Sequence, residues 1–102
     1  MSDYHEPWES LSEEDRNLHR ALQSLKEELE AVAWYHQRSV LCADTALREL
    51  LVHNRDEEME HACMLLEWLR RQLPALDRNL RKYVFSTAPI VGIEALEKDA
   101  SK

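Results

Sequence analysis

The chain has 102 residues, of which 44% are apolar and 32% charged, and its formal net charge is −7. That length fits one small domain, and the negative charge argues against a nucleic-acid or anionic-membrane surface. No apolar run is long enough to span a bilayer and no signal-peptide core opens the chain, so a cytoplasmic protein is expected.

One Gly, three Pro and few β-branched residues make an all-α fold the expectation. Residues 1–11 read as an acidic, loosely held arm. Through Asp15 the chain carries Asp3, Glu6, Glu9, Glu13, Glu14 and Asp15 with no Lys or Arg. A solvated tail is the ordinary reading, and an acidic arm near a metal path the sharper one. The acids at 13–15 also suit the positive end of a helix dipole. Ser10 with Glu13, or Ser12 with Asp15, offers the capping pattern.

A first long helix is predicted from Ser12 to Ala43, roughly 48 Å at 1.5 Å per residue. "ADT" at 43–45 breaks it, with Asp44 or Thr45 as the next cap. A second long helix runs from Ala46 to Gln72 and stops at Pro74, or a new turn starts there. Residues 75–84 read as a shorter helix, "STAP" at 86–89 breaks the chain, and 90–98 form a last short helix. The organised part is thus 12–98, and 99–102 are expected to fray. Cys42 and Cys63 form no CxxC pair or Cys/His framework and are expected as reduced, packed thiols.

A 4-3 spacing on the second helix selects Leu47, Leu51, Asn54, Glu58, His61, Leu65 and Trp68, a coiled-coil-like seam with a polar middle. The same test on the first helix selects Leu18, Ala21, Leu25, Glu28, Val32, Tyr35 and Ser39. If the chain reverses near residue 44, residue i pairs with roughly residue 88 − i, as in an αα-hairpin. Glu28 then falls level with Glu58 and His61. Taken alone, Glu-x-x-His on a helix is most often a solvated pair. Polarity at one shared level of two otherwise apolar seams points instead to a site.

Glu58 and His61, at i and i+3, share a helical face. Burying two carboxylates and an imidazole uncompensated would cost several kcal/mol. Arg55 points about 60 to 90° away at 100° per residue, which makes it a poor counter-ion. Carboxylate oxygen with imidazole nitrogen suits iron, manganese or zinc. One Glu plus one Glu-x-x-His is half of a ferritin-like di-iron set, which takes four helices. An antiparallel two-helix hairpin plus a short C-terminal helix cannot enclose such a core alone. A two-fold dimer supplies the other half and builds a ferritin-like four-helix bundle. Two metals are therefore expected at the dimer interface, bound by Glu28, Glu58 and His61 from each chain.

The stretches "EELEAVAWYHQR" (27–38) and "HNRDEEMEHACMLLEWLRR" (53–71) resemble the encapsulated ferritin family. "HEP" and "YVFSTAPIVGIEA" are similar to it as well, so most of the chain is covered. The resemblance implies a ferroxidase that oxidises ferrous iron with dioxygen or a related oxidant, held as cargo inside an encapsulin capsid that stores ferric mineral. It implies iron as the metal, two ions per dimer interface, and a ring of dimers, typically a decamer. Glu28, Glu58 and His61 match the family's ferroxidase ligands. Glu27, Glu30 and Trp34 match its metal-uptake site. Their i, i+3, i+7 spacing puts them on one face, about 100° from Glu28. The ending "EALEKDASK" does not resemble the family's short apolar docking tail, so encapsulation rests on the family and on no residue here.

Tyr35 lies on the Glu28 seam and is expected either to pack with a bonded hydroxyl or to serve the site. His53 and Asn54 are the candidates for contacts that support the ligands. His5, His19, His36 and His53 otherwise read as surface or structural residues. Two further readings stay open: a structural oligomerisation module whose polar layer sets register, and a manganese or zinc protein that performs no oxidation.

Overall fold

The computed structural model describes the backbone of residues 4–100 and the side chains of residues 4–96. The first three residues of the acidic arm and the last two of the expected frayed tail lie outside the described residues. All regular structure described is helical. The chain divides into two units, Met1–Leu69 and Arg70–Lys102.

Where it is described, the acidic arm makes contacts with the start of the first long helix. A 3-10 turn at Trp8–Ser10 precedes α1, Glu13–Leu41. Arg16 holds this segment, donating from Nε to the Trp8 carbonyl at 3.0 Å with its guanidinium 4.3 Å from the Trp8 ring. The rings of Tyr4 and His19 stack at 3.9 Å. Cation–π and ring contacts thus fold residues 4–11 back along the start of α1. Ser12 is the N-cap, its Oγ accepting from the Asp15 amide at 3.0 Å. This selects the second of the two capping pairs, and the acids at 13–15 occupy the first turn.

α2 is Thr45–Gln72. Asp44 caps it, with Oδ1 accepting from the Leu47 amide at 2.8 Å. Arg48 closes the connection by donating from Nε (2.9 Å) and Nη2 (2.6 Å) to the carbonyl of Cys42. Short polar side chains and one guanidinium thereby satisfy the groups that two helix ends leave open.

Cross-helix contacts show that α1 and α2 run antiparallel. Glu28 faces His61, His36 meets Arg55, and Ala21 and Ser24 line one groove with Leu65 and Trp68. Against the simple reversal estimate, the Glu28–His61 and His36–Arg55 pairs sit one to three residues out of register. Ala21, Ser39 and Ala62 are buried along the line between the helices, where small side chains allow close approach. The Ser39 hydroxyl donates to the His36 carbonyl at 2.8 Å. Leu69 is fully buried. Much apolar surface stays outside: Leu29 is 55% exposed, Trp34 53% and Met64 57%. Two helices have too little mutual surface to cover both of their oily faces.

In the second unit, Pro74 opens α3 (Pro74–Tyr83) at a first-turn position where its missing amide is harmless. Asp77 accepts from Arg81 Nε at 3.0 Å and forms a short ion pair with Arg70. Beyond α3 the chain turns at Phe85, whose φ is 65°. The Ser86 hydroxyl and amide both donate to the Tyr83 carbonyl and close this turn. A bulky side chain in the left-handed region costs on the order of 1 kcal/mol or more. α4 runs Ile90–Ala100, two residues further than expected, and contacts α3.

Candidate metal centre

Glu28 sits near the middle of α1, and Glu58 and His61 lie near the middle of α2, one turn apart. Antiparallel pairing brings all three to one level. His61 Nδ1 lies 3.5 Å from Glu58 Oε2 and 3.6 Å from Glu28 Oε2. One ligand atom from each residue lies within 4.8 Å of the others, and this is the sole such cluster of three among the described residues.

These distances are too long for hydrogen bonds. They suit one shared ion: ligand bonds of about 2.0–2.2 Å set about 3.4 Å apart around a tetrahedral centre. Glu28 Oε2 is buried and accepts no hydrogen bond. A buried carboxylate oxygen without a donor is costly, and a cation is one partner whose charge would offset that cost. Glu28 and Glu58 side chains are 26% and 24% exposed, whereas His61 is 44% exposed. The cluster is thus walled by two helices and open on a third side.

Arg55 does not neutralise it. Its Nη1 meets His36 Nδ1 at 3.1 Å, and its Nε and Nη2 donate to Asp56. That bond ties α2 to α1 and gives His36 a structural place.

The other expected residues are placed differently. Glu27 is exposed and accepts weakly from Gln23 at 3.5 Å, Glu30 is half-buried, and Trp34 is more than half exposed. They share a flank of α1 near the cluster without joining it. Tyr35 is half-buried, with the Arg38 guanidinium 5.5 Å from its ring. His53 faces Glu57 at 3.6 Å, and no hydrogen bond links Asn54 or Tyr35 to the cluster among the described residues. Cys42 is half-buried at the connection, its thiol 3.6 Å from the Asp44 carbonyl. Cys63 is exposed, contrary to the packing expected for it, because it lies about 140° around α2 from Glu58.

Sequence reasoning missed two features. The Arg16 clamp on Trp8 joins residues eight apart across an irregular segment, where periodicity carries no signal. Phe85 in a left-handed turn had one clue, the break at "STAP", which marks a turn but not its hand. Toward the start of α1, Asn17, Arg20, Ala21 and Ser24 with Leu65 and Trp68 of α2 line an open groove of about 330 Å³. No described helix is long and apolar enough to cross a membrane.

A family model described as EncFtn-like matches residues 3–87. A ferritin-like protein of Thermotoga maritima is 62% identical over 91 residues, covering 89% of this chain and 80% of that protein. An encapsulated ferritin-like protein of Rhodospirillum rubrum is 54% identical over 93 residues, covering 91% of this chain; the chain spans 66% of that relative's length. A crystal structure of a protein from Nitrosomonas europaea matches with a TM-score of 0.83 at 56% identity, covering 85% of this chain and 96% of that one. With the helical hairpin, the carboxylate–imidazole cluster and these matches in agreement, the chain belongs to the EncFtn-like family of encapsulated ferritin-like proteins.

Proposed function

We propose that the protein is a ferroxidase whose substrate, ferrous iron, is bound by Glu28, Glu58 and His61 at an interface between two copies of the chain. The observation that carries this reading is the buried, donorless Oε2 of Glu28 facing His61 and level with Glu58. Family membership supplies the iron-related role; the residues supply hard oxygen donors and one imidazole, a set that accepts ferrous and ferric iron alike.

One hairpin offers three ligands and an open side. A two-fold partner offers the same three, closes a four-helix bundle and brings a second ion near the first. The partner also covers the groove beside Leu65 and Trp68. Each carboxylate holds a charge that offsets the iron's rising charge, and His61 provides a neutral donor. Two ferrous ions lose one electron each to an oxidant of the dioxygen class, and the ferric product leaves for mineral storage. Glu27, Glu30 and Trp34 serve as the uptake site on the flank of α1, with the two carboxylates holding a cation in transit. Tyr35, His53 and Asn54 act as supporting residues. The Rhodospirillum relative is described as encapsulated; by extension this chain works inside an encapsulin compartment, as a homo-oligomer built from dimers, in a ring of five by family analogy.

The test is anaerobic titration of apoprotein with Fe²⁺, followed by oxygen, with mass and absorbance recorded together. Two irons per dimer and rapid oxidation are expected, and Glu58→Ala or His61→Ala abolishes both. Wild-type rates in either variant would remove these residues from the site. Uptake without oxidation would favour a manganese or zinc protein, and no uptake a structural module.

A further inference from the structure

The three residues of the cluster come from two helices, Glu28 from α1 and Glu58 with His61 from α2. Their spacing therefore depends on how far α1 is displaced along α2. Packing resists such sliding weakly, because Ala21, Ser39 and Ala62, buried between the helices, are small and form only low ridges. Electrostatics favours sliding: without a cation, Glu28 Oε2 is buried with no donor, in one cluster with a second carboxylate, Glu58. A polar tie between the helices close to the cluster would hold it ready for metal.

His36 and Arg55 form such a tie. His36 lies eight residues beyond Glu28 on α1, about 12 Å at 1.5 Å per residue, and Arg55 lies three before Glu58 on α2. Arg55 Nη1 is 3.1 Å from His36 Nδ1. A guanidinium can only donate, so Nδ1 accepts, and the ring is neutral with its proton on Nε2. Asp56 Oδ1 accepts from Nε at 3.1 Å and from Nη2 at 3.0 Å, which fixes the guanidinium and aims Nη1 at α1. Arg55 is 23% exposed and His36 is on the surface, within reach of protons from solvent. On α1 the residues three and four places from His36, Val32, Ala33, Ser39 and Val40, carry no ionisable side chain. On α2 the charged neighbours are Asp56, bonded to Arg55, and Glu58, whose Oε2 lies 3.5 Å from His61. A proton added to His36 removes the acceptor and sets a second cation against Arg55.

We propose that His36, in its neutral form, is a positioning residue for the metal centre: by accepting from Arg55 it holds α1 and α2 at the height where Glu28 meets His61, and protonation of its ring releases that hold. The centre is preorganised when His36 is neutral and must be rebuilt by the arriving ion when it is charged. Metal affinity accordingly falls on acidification by more than protonation of the ligands alone would cause. This inference rests on the proposed metal binding by Glu28, Glu58 and His61, and not on oxidation of iron.

Isothermal titration of the apoprotein with Zn²⁺, a redox-silent probe, tests it, the relevant site being the one that Glu58→Ala removes. At about pH 7.5, His36→Leu and Arg55→Leu should each weaken that site roughly three- to thirtyfold, with helix content by circular dichroism unchanged. The double variant should be no weaker than either single one, since both remove the same bond. His36→Asn, whose Oδ1 stands near the place of Nδ1 and accepts from Arg55 without titrating, should bind as wild type does. On going to about pH 5.5 the wild type should lose roughly threefold more affinity than His36→Asn, because protons on His61 and the carboxylates cost both proteins alike. Equal binding by wild type and His36→Leu, additive losses in the double variant, or equal acid losses in wild type and His36→Asn would overturn the proposal alone. A wild type without Zn²⁺ binding would overturn the metal centre and the proposal with it.

Discussion

Glu28 Oε2 and His61 Nδ1 lie 3.6 Å apart on two antiparallel helices, and the carboxylate oxygen is buried without a hydrogen-bond donor. Thirty-three residues separate them in sequence, yet they meet because each sits near the midpoint of its helix. A group left in this condition raises the energy of the metal-free protein. On the proposed reading, the same condition favours binding a cation there.

Glu28→Gln should therefore act in opposite directions on two measurements. Removing the charge is expected to leave the metal-free protein as stable or more stable, by up to about 1 kcal/mol, since a neutral amide is cheaper to bury. Binding of Fe²⁺, or of Zn²⁺ as a redox-silent probe, should weaken at least about tenfold, about 1.4 kcal/mol. Calorimetric melting of apoprotein and isothermal titration read the two effects. A variant less stable without metal and equally tight with it would contradict this account of Glu28.

Acid should loosen the second unit through Asp77. Arg81 first, and then Arg70, hold its carboxyl below the usual aspartate range. A carboxyl whose folded-state pKa is depressed adds stability above its unfolded value, and that stability disappears as pH falls through the folded value. The contribution is thus present at neutral pH and lost below about pH 4. Asp77→Asn should remove this part of the acid sensitivity, seen as a flatter dependence of melting temperature on pH between about 5 and 2. An unchanged slope would show that the three-residue cluster contributes nothing to folding.

Two caps set the limits of the hairpin. Ser12→Ala removes the acceptor for the Asp15 amide, and Asp44→Ala the acceptor for the Leu47 amide. Each should cost about 1 kcal/mol in chemical denaturation. Asp44→Ala should also loosen the turn that sets the α1–α2 register, so its effect on metal affinity should exceed that of Ser12→Ala. Equal metal binding in both variants would argue that register is held elsewhere, for instance by Arg55 and His36.

Periodicity and breakers located the helices within one or two residues. The all-α class followed from scarce Gly, Pro and β-branched residues. The candidate site was legible for a related reason: charged residues at seam positions are conspicuous, and hairpin reversal aligns them with little freedom. Glu27, Glu30 and Trp34 were assigned by resemblance alone, and among the described residues the geometry of one chain gathers no cluster there. Cys63 fell on the outer side of α2 although its neighbours are apolar, because local composition does not say which side of a helix is covered.

By itself the sequence determined which segments are helical, where they stop, and that Glu28, Glu58 and His61 share one level. Those properties depend on neighbours along the chain and on a fixed 3.6-residue period. Tertiary structure alone decided that Glu28 Oε2 lacks a donor, that Arg55 spends its guanidinium on His36 and Asp56, that Arg16 pins the acidic segment, and that Phe85 stands in a left-handed turn. Each is a choice among several side-chain partners or backbone basins of similar local energy, and only long-range packing separates them.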